Sequence, residues 1–307
     1  MPEYERVQVL HGDDLAERVV LKYLYGQINL GFNMKLHLDV GCAEGIWMLD
    51  EAMKYRDLVF VGLDEDVTPN LITNSPQGVY NLIKSGVIRS AHARAYKEEH
   101  GLPGDDFLST GDSENLHKML SDPYRKRILF VESDMNKLRF GQSLHSGTTY
   151  SRASYQEVLQ ETLHVMSEHP RGQRMLKYRI GEVYRPNAPN HPFRIDFPGL
   201  PEMTVEDFLK SQPSAEFVNH YKPYTDRISV VVGDARHLPF ADGIFDSVTV
   251  LNLGHDRERS PEAEKQFDTL VDETSRVVKV GCQVTIIPVP HYMEEEYPDG
   301  MTVERTS

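Results

Sequence analysis

A turn rich in small residues near the N-terminus is the first place where residue types and spacing could support chemistry. It runs from Asp39 through Gly41 to Gly45, so it includes the end of a predicted strand at 34–40 and precedes residues 46–55, which suit a helix. Small residues let a ligand approach the backbone closely, and the first turn of a helix presents unpaired N–H groups. Residues 39–45, called the glycine turn below, are therefore a candidate ligand-binding site.

Two kinds of binding turn must be distinguished here, beside a plain strand-to-helix turn that binds nothing. A dinucleotide-binding turn would have glycines at positions 41, 43 and 46, but this chain has Ala43 and Ile46 at the last two. The second kind of binding turn has an acid two residues before its first glycine, and Asp39 occupies that position here.

The elements that would position the turn follow from the spacing of apolar residues. Residues 34–40 and 58–63 are predicted strands, and the helix between them completes a βαβ unit whose strands run parallel. Toward the other end of the chain, residues 228–232, 245–251 and 282–289 are also predicted strands.

Helix signals complete this pattern. Ser260 followed by Pro261 predicts the start of a helix before the last strand, and Gly281 is suited to end it. Residues 15–24 repeat apolar side chains at helical intervals. Strands and helices that alternate in both flanks predict an α/β fold with one open sheet.

Residues 67–227, between the two flanks, differ from them in charge. They contain 20 Lys or Arg and 19 Asp or Glu, whereas the flanks together contain 13 and 28. One helix is predicted from about Ser154 to residue 168, and a shorter one after Thr204. Residues 170–203 are basic and rich in proline, which predicts either a solvated loop or a clamp for an anionic substrate or RNA.

The middle segment contains two further candidates. Tyr150 and Tyr155, close to Gly147, could belong to a mobile lid that contacts the substrate. Residues 128–131 are a strand candidate. Asp134, Leu138 and Phe140 after them have the same spacing as Asp234, Leu238 and Phe240 later in the chain. Asp134 is therefore a candidate cofactor contact, like Asp234 below.

The glycine turn resembles the first motif of class I S-adenosylmethionine-dependent methyltransferases, in which an apolar strand is followed by an acid and a glycine-rich turn. Three more segments resemble the same family in the same order, at residues 59–64, 232–248 and 273–281. The resemblance covers about residues 36–66 and 228–289.

This resemblance implies a Rossmann-like fold, with an open, mostly parallel sheet, helices on both faces and a large insertion. Residues 1–66 and 228–307 would form the cofactor-binding domain. The insertion, residues 67–227, would recognise the substrate or cover it as a lid, and it could also add elements to the sheet. The implied cofactor is S-adenosyl-L-methionine, from which a methyl group passes to an acceptor nucleophile.

The resemblance also implies roles for single residues. Asp64, or Glu65 beside it, would accept hydrogen bonds from the ribose hydroxyls, and Asp234 would accept one from the adenine amino group. His255 titrates near neutrality and is the candidate proton acceptor, with a structural role as the alternative. The implied cofactor contacts are Asp39, Gly41, Cys42, Ala43, Gly45, Asp64, Glu65, Asp234, Ala235 and Asn252.

Composition narrows the class of protein further. The formal net charge of −14 disfavours a general nucleic-acid binder. The two cysteines, Cys42 and Cys282, are too few for a disulfide framework or a four-cysteine zinc site, and no metal is expected. No leader or long apolar run is seen, so we expect a cytoplasmic protein without a membrane partner.

The acidic body favours a small-molecule acceptor. An RNA or protein acceptor bound by the basic residues 171–194 is the first alternative. A non-catalytic, methyltransferase-like binding protein is the second, because such a protein would keep the fold without turnover.

Overall fold

The fold is taken from a computed structural model, which describes residues 8–10, 34–64, 73–102, 117–119, 121–128, 155–184, 202–251, 260–287 and 301–304. The predicted helix at 15–24, most of the strand candidate at 128–131, and Asp134 lie outside these residues.

The described strands form one mixed sheet. They are β1 (Gln8–Leu10), β2 (Lys35–Val40), β3 (Leu58–Asp64), β4 (Ile228–Val232), β5 (Ser247–Leu251), β6 (Gln283–Ile287) and β7 (Met301–Glu304). Their order across the sheet is β1-β4-β3-β2-β5-β6-β7. The five central strands run parallel to one another, whereas β1 and β7 are antiparallel edge strands.

The parallel strands confirm the predicted α/β fold with one open sheet. The strand predicted at 245–251 begins two residues later, because Phe245 makes only an isolated bridge with Val278. The two edge strands β1 and β7 were not predicted, and they come from opposite ends of the described chain. The described part of residues 67–227 adds helices and no strand to the sheet.

Helices pack on both faces of the sheet. Leu38 and Val40 of β2 lie in one core cluster with Phe267 and Leu270, whereas Phe60 of β3 lies in a second cluster with Met48. The helices are α1 (Ile46–Lys54), α2 (Pro76–His100), α3 (Pro123–Arg127), α4 (Tyr155–Glu168), α5 (Pro170–Lys177), α6 (Ile180–Val183), α7 (Val205–Lys210), α8 (Ala215–Thr225) and α9 (Pro261–Val277).

Helix α2 is the main element that the sequence did not predict. It begins at the N-cap Ser75, whose side chain accepts a hydrogen bond from the Gly78 N–H, and it ends at Gly101 in the left-handed region. In the middle of the helix polar side chains are buried together with apolar ones: Asn81 is 2% exposed and Lys84 is 1% exposed.

The middle segment shares its core with the sheet. The cluster that contains Phe60 and Met48 also contains Val87 of α2, Phe208 of α7 and Phe217 of α8. Residues 67–227 therefore pack, where they are described, as an extension of one face of the sheet.

Residues 170–184 correct the expectation of a solvated loop. They form α5 and α6, and Pro170 stands at the first position of α5 because its missing N–H costs nothing there. Residues 185–201, the rest of the predicted loop, lie outside the described residues.

Candidate functional site

The glycine turn connects β2 to α1 through left-handed backbone conformations. Gly41 and Gly45 have φ angles of 80° and 75°, and Ala43 has a φ of 47°. The N–H of Gly41 donates to the Leu63 carbonyl oxygen at 2.7 Å. The turn is thereby held against the end of β3.

Gly45 is required for steric reasons as well as for its φ angle. A Cβ atom at this position would lie 2.6 Å from Thr73 Oγ1 and 2.7 Å from Met48 Cε. Gly45 is the N-cap of α1 and has no side chain to bond the N–H groups of the first helical turn. These N–H groups are a feature that a ligand can use.

Asp64, at the end of β3, reaches the glycine turn as the sequence predicted. Its Oδ2 atom accepts a hydrogen bond of 2.8 Å from the Ala43 N–H. The two motifs that the sequence placed 21 positions apart therefore meet in one site.

Asp39 is fully buried at the end of β2. Its side chain is 0% exposed, and neither carboxylate oxygen has a hydrogen-bond partner among the described residues. Burial, and then the nearby charge of Asp64, raise the pKa of Asp39 to about 8. A buried acid normally has a donor or a cation beside it, so this carboxylate is suited to a ligand that supplies one.

Asp234 follows β4, whose last residue Val232 lies beside Asp64 in the sheet register. Its two carboxylate oxygens accept hydrogen bonds of 2.9 Å from Nε and Nη2 of Arg236. Partial burial raises the pKa of Asp234, but the hydrogen bonds from Arg236 outweigh it and lower that pKa. A ligand amino group at Asp234 would have to share the carboxylate with Arg236. Ala235 is half-buried against the core.

The three acids lie at the carboxyl ends of neighbouring parallel strands. Asp39, Asp64 and Asp234 follow the order of β2, β3 and β4 in the sheet. The chain runs outward from β2 in both directions, to β3 on one side and to β5 on the other. Open α/β sheets bind ligands at such a reversal, outside the carboxyl ends of the strands.

Several predicted site residues are not described. Glu65, Tyr150, Asn252 and His255 lie outside the described residues.

Tyr155 does not occupy the exposed lid position that we expected. It is the first residue of α4, it is 4% exposed, and it packs in the core cluster that contains Tyr80. Its burial raises the pKa of its hydroxyl well above the usual value. The ring contributes to packing between α4 and its neighbours, because an apolar environment surrounds it.

Arg171 is buried, so it fits neither of the two alternatives for this stretch, a solvated loop or an anion clamp. Its side chain is 5% exposed and pairs with Glu99 at 2.9 Å and Asp122 at 3.0 Å. Arg174 pairs with the same Glu99 at 2.9 Å. These two arginines connect α5 to α2 and to the start of α3, so their charges are already compensated within the protein.

Thr73 is a site residue that the sequence did not suggest. It is 0% exposed, its N–H donates to the Glu44 carbonyl oxygen at 3.0 Å, and its hydroxyl donates to the Gly45 carbonyl oxygen at 2.7 Å. No local pattern signals a contact between residues 28 positions apart.

The described part of the chain has neither a metal-binding group nor a membrane-spanning helix. Within it, no group of three or more His, Cys, Asp or Glu side chains could hold a metal ion. None of its helices is both long enough and apolar enough to cross a membrane.

Comparisons with protein-family models, with curated proteins and with solved structures each gave no match. The fold and site define a class by themselves: an α/β protein with a mostly parallel sheet and three acids at its carboxyl edge. Any more specific function has to be argued from these residues.

Proposed function

We propose that the protein is a Rossmann-like, S-adenosylmethionine-dependent methyltransferase. The observation that carries the proposal is the set of acids Asp39, Asp64 and Asp234 around the glycine turn, at the ends of three adjacent parallel strands. In chain order the five parallel strands lie as 3-2-1-4-5, the arrangement found in doubly wound nucleotide-binding folds.

The charges at this edge favour a cationic nucleoside over a nucleotide with phosphates. Carboxylates accept hydrogen bonds from ribose hydroxyls and amino groups, but they repel phosphate groups. Arg236, which follows Asp234 by two residues, is paired with that acid. S-adenosylmethionine carries a sulfonium, an amino group and a ribose, and it supplies an activated methyl group.

Each residue has a distinct task in this proposal. Asp64 would hold the ribose, and Asp234 and the Ala235 N–H would contact the adenine. Asp39 would lose its proton when the cationic ligand binds, and its carboxylate would then offset the ligand's positive charge. Catalysis would rest on holding acceptor and methyl group close and aligned in a site that excludes water. His255 is the residue to test as a base if the acceptor loses a proton early.

A small molecule is the acceptor that we propose. The RNA alternative depended on free basic charges in residues 171–194, but Arg171 and Arg174 are both engaged with Glu99. A surface whose arginines are already paired with carboxylates binds RNA phosphates more weakly.

Isothermal titration calorimetry with S-adenosylmethionine and its demethylated product tests this function. We expect both to bind, and Asp64→Ala and Asp234→Ala each to weaken binding about tenfold or more, since each removes hydrogen bonds from a carboxylate. Asp226→Ala is the matched control, because Asp226 precedes β4 at the opposite edge of the sheet and pairs with Lys222.

Two results would contradict the proposal. If neither compound bound the wild-type protein, the cofactor assignment would be wrong. If both bound but the Asp64 and Asp234 variants retained full affinity, the site assignment would be wrong. Tighter binding of NAD than of S-adenosylmethionine would instead favour the dinucleotide alternative.

A further inference from the structure

We infer that Thr73 is a positioning residue for the cofactor site and sets the shape of the glycine turn through its hydroxyl. The inference rests on the proposed function and adds a residue from outside the segments that resemble the family. Thr73 belongs to the middle segment, two residues before the N-cap of α2.

The contacts between Thr73 and the turn are specific and fully buried. Thr73 Oγ1 donates to the Gly45 carbonyl oxygen at 2.7 Å, and the Thr73 N–H donates to the Glu44 carbonyl oxygen at 3.0 Å. The Gly45 carbonyl oxygen also accepts the Leu49 N–H at 3.0 Å, in the first turn of α1. Thr73 thus fixes the two peptide groups at which the turn becomes a helix.

These contacts matter because the turn has to keep sparsely populated backbone conformations. Gly45 and Ala43 hold left-handed φ angles, and Gly45 has no side chain to cap α1. Left-handed backbone is sparsely populated and persists only where its surroundings hold it. A ligand that bonds the first N–H groups of α1 needs these peptides in one orientation before it binds.

The fit around Gly45 supports the same role. The space that a Cβ atom of residue 45 would need is occupied by Thr73 Oγ1, at 2.6 Å. Glycine at 45 and a hydroxyl at 73 are therefore matched, and the middle segment completes the site from a second direction.

The variants Thr73→Val and Thr73→Ser distinguish the effect of the hydroxyl group from the effect of side-chain shape. Valine keeps the volume and removes the hydrogen bond, while the Gly45 carbonyl oxygen keeps its bond from Leu49. We expect Thr73→Val to weaken binding of the demethylated cofactor about five- to tenfold, and Thr73→Ser to restore it. Amide hydrogen exchange over residues 41–48, without ligand, should be faster in the valine variant alone.

Thr162→Val is the matched control for a purely structural effect. Thr162 is also 0% exposed and donates to a backbone carbonyl oxygen, that of Val158, at 2.8 Å within α4. We expect this variant to retain wild-type affinity and wild-type exchange over residues 41–48.

The results distinguish failure of the inference from failure of the proposed function. Wild-type affinity and exchange in Thr73→Val, with the cofactor bound normally by the wild-type protein, would overturn the inference alone. An equal loss of affinity in Thr162→Val would do the same. No binding by the wild-type protein would overturn both. If Thr73→Val did not fold, Thr73→Ala would be measured and interpreted in the same way.

Discussion

At the scale of single residues, Asp39 shows how a residue of the candidate site can reduce the stability of the protein. Its buried carboxylate lacks a partner among the described residues, and its pKa is raised to about 8. The folded protein therefore holds a proton at Asp39 that the unfolded chain releases near pH 4. This difference lowers the free energy of unfolding progressively as the pH rises from about 4 to about 8.

Asp39→Asn should stabilise the protein at high pH. Asparagine keeps the shape and removes the ionisation, so we expect a gain on the order of 5 kcal/mol at pH 8 and about 2 kcal/mol at pH 5. Urea unfolding at the two pH values measures it. A variant less stable than wild type at pH 8 would show that the carboxylate has a strong partner. If the proposed function holds, the same variant should bind S-adenosylmethionine more weakly.

Single residues were predictable from sequence where the pattern was local. The glycine turn and Asp64 meet as expected, because a βαβ unit brings the ends of its two strands to one edge. The pairing of Asp234 with Arg236 and the contact of Thr73 with Gly45 were not predictable. The first depends on a side-chain conformation, and the second joins positions 28 apart across a change of element.

At the scale of elements, Arg227 joins the end of α1 to the start of β3. Its guanidinium donates to the carbonyl oxygens of Tyr55 at 2.5 Å, Leu58 at 3.0 Å and, through a short bond, Ala52. The last carbonyl groups of a helix have no partner inside the helix, so the arginine satisfies groups that would otherwise be left unpaired.

Arg227→Lys should destabilise the protein although it keeps the charge. An ammonium group cannot reproduce a planar fork that reaches three carbonyl oxygens, so we expect a loss of about 1–3 kcal/mol in urea unfolding. Arg56→Lys, at an exposed position between α1 and β3, is the control and should change stability by less than about 0.5 kcal/mol. Equal losses in the two variants would show that the geometry of the Arg227 fork is unimportant.

Helices and strands were predictable in two cases: where only one face is buried, and where the whole element is buried and apolar. The parallel strands are short apolar stretches, and α9 has a Ser-Pro start. Helix α2 was missed because it is surrounded by other elements, so it shows no apolar stripe, and because its buried side includes Asn81, Lys84 and His92. Lys84 is held there by the carbonyl oxygens of Leu209 and Ser211, at 2.9 and 2.7 Å, which no local pattern reveals.

At the scale of the whole molecule, three buried groups in different places contribute with opposite signs to the response of stability to acid. Burial lowers the pKa of His37 to about 4. Burial and then the charge of Arg171 lower the pKa of His92 to about 4 as well. Both histidines are neutral in the folded protein and gain protons on unfolding below about pH 6.5. Asp39 acts in the opposite sense, since it loses a proton on unfolding between about pH 4 and pH 8.

On unfolding near pH 5 the two histidines together take up about two protons, whereas Asp39 releases about one. One proton corresponds to about 1.4 kcal/mol for each pH unit. Asp39→Asn should therefore raise the net proton uptake on unfolding by about one, and His92→Gln should lower it by about one. Urea unfolding at intervals from pH 4.5 to 6.5 gives the slopes. A slope that neither substitution changes would mean that these groups titrate alike in the folded and unfolded chain.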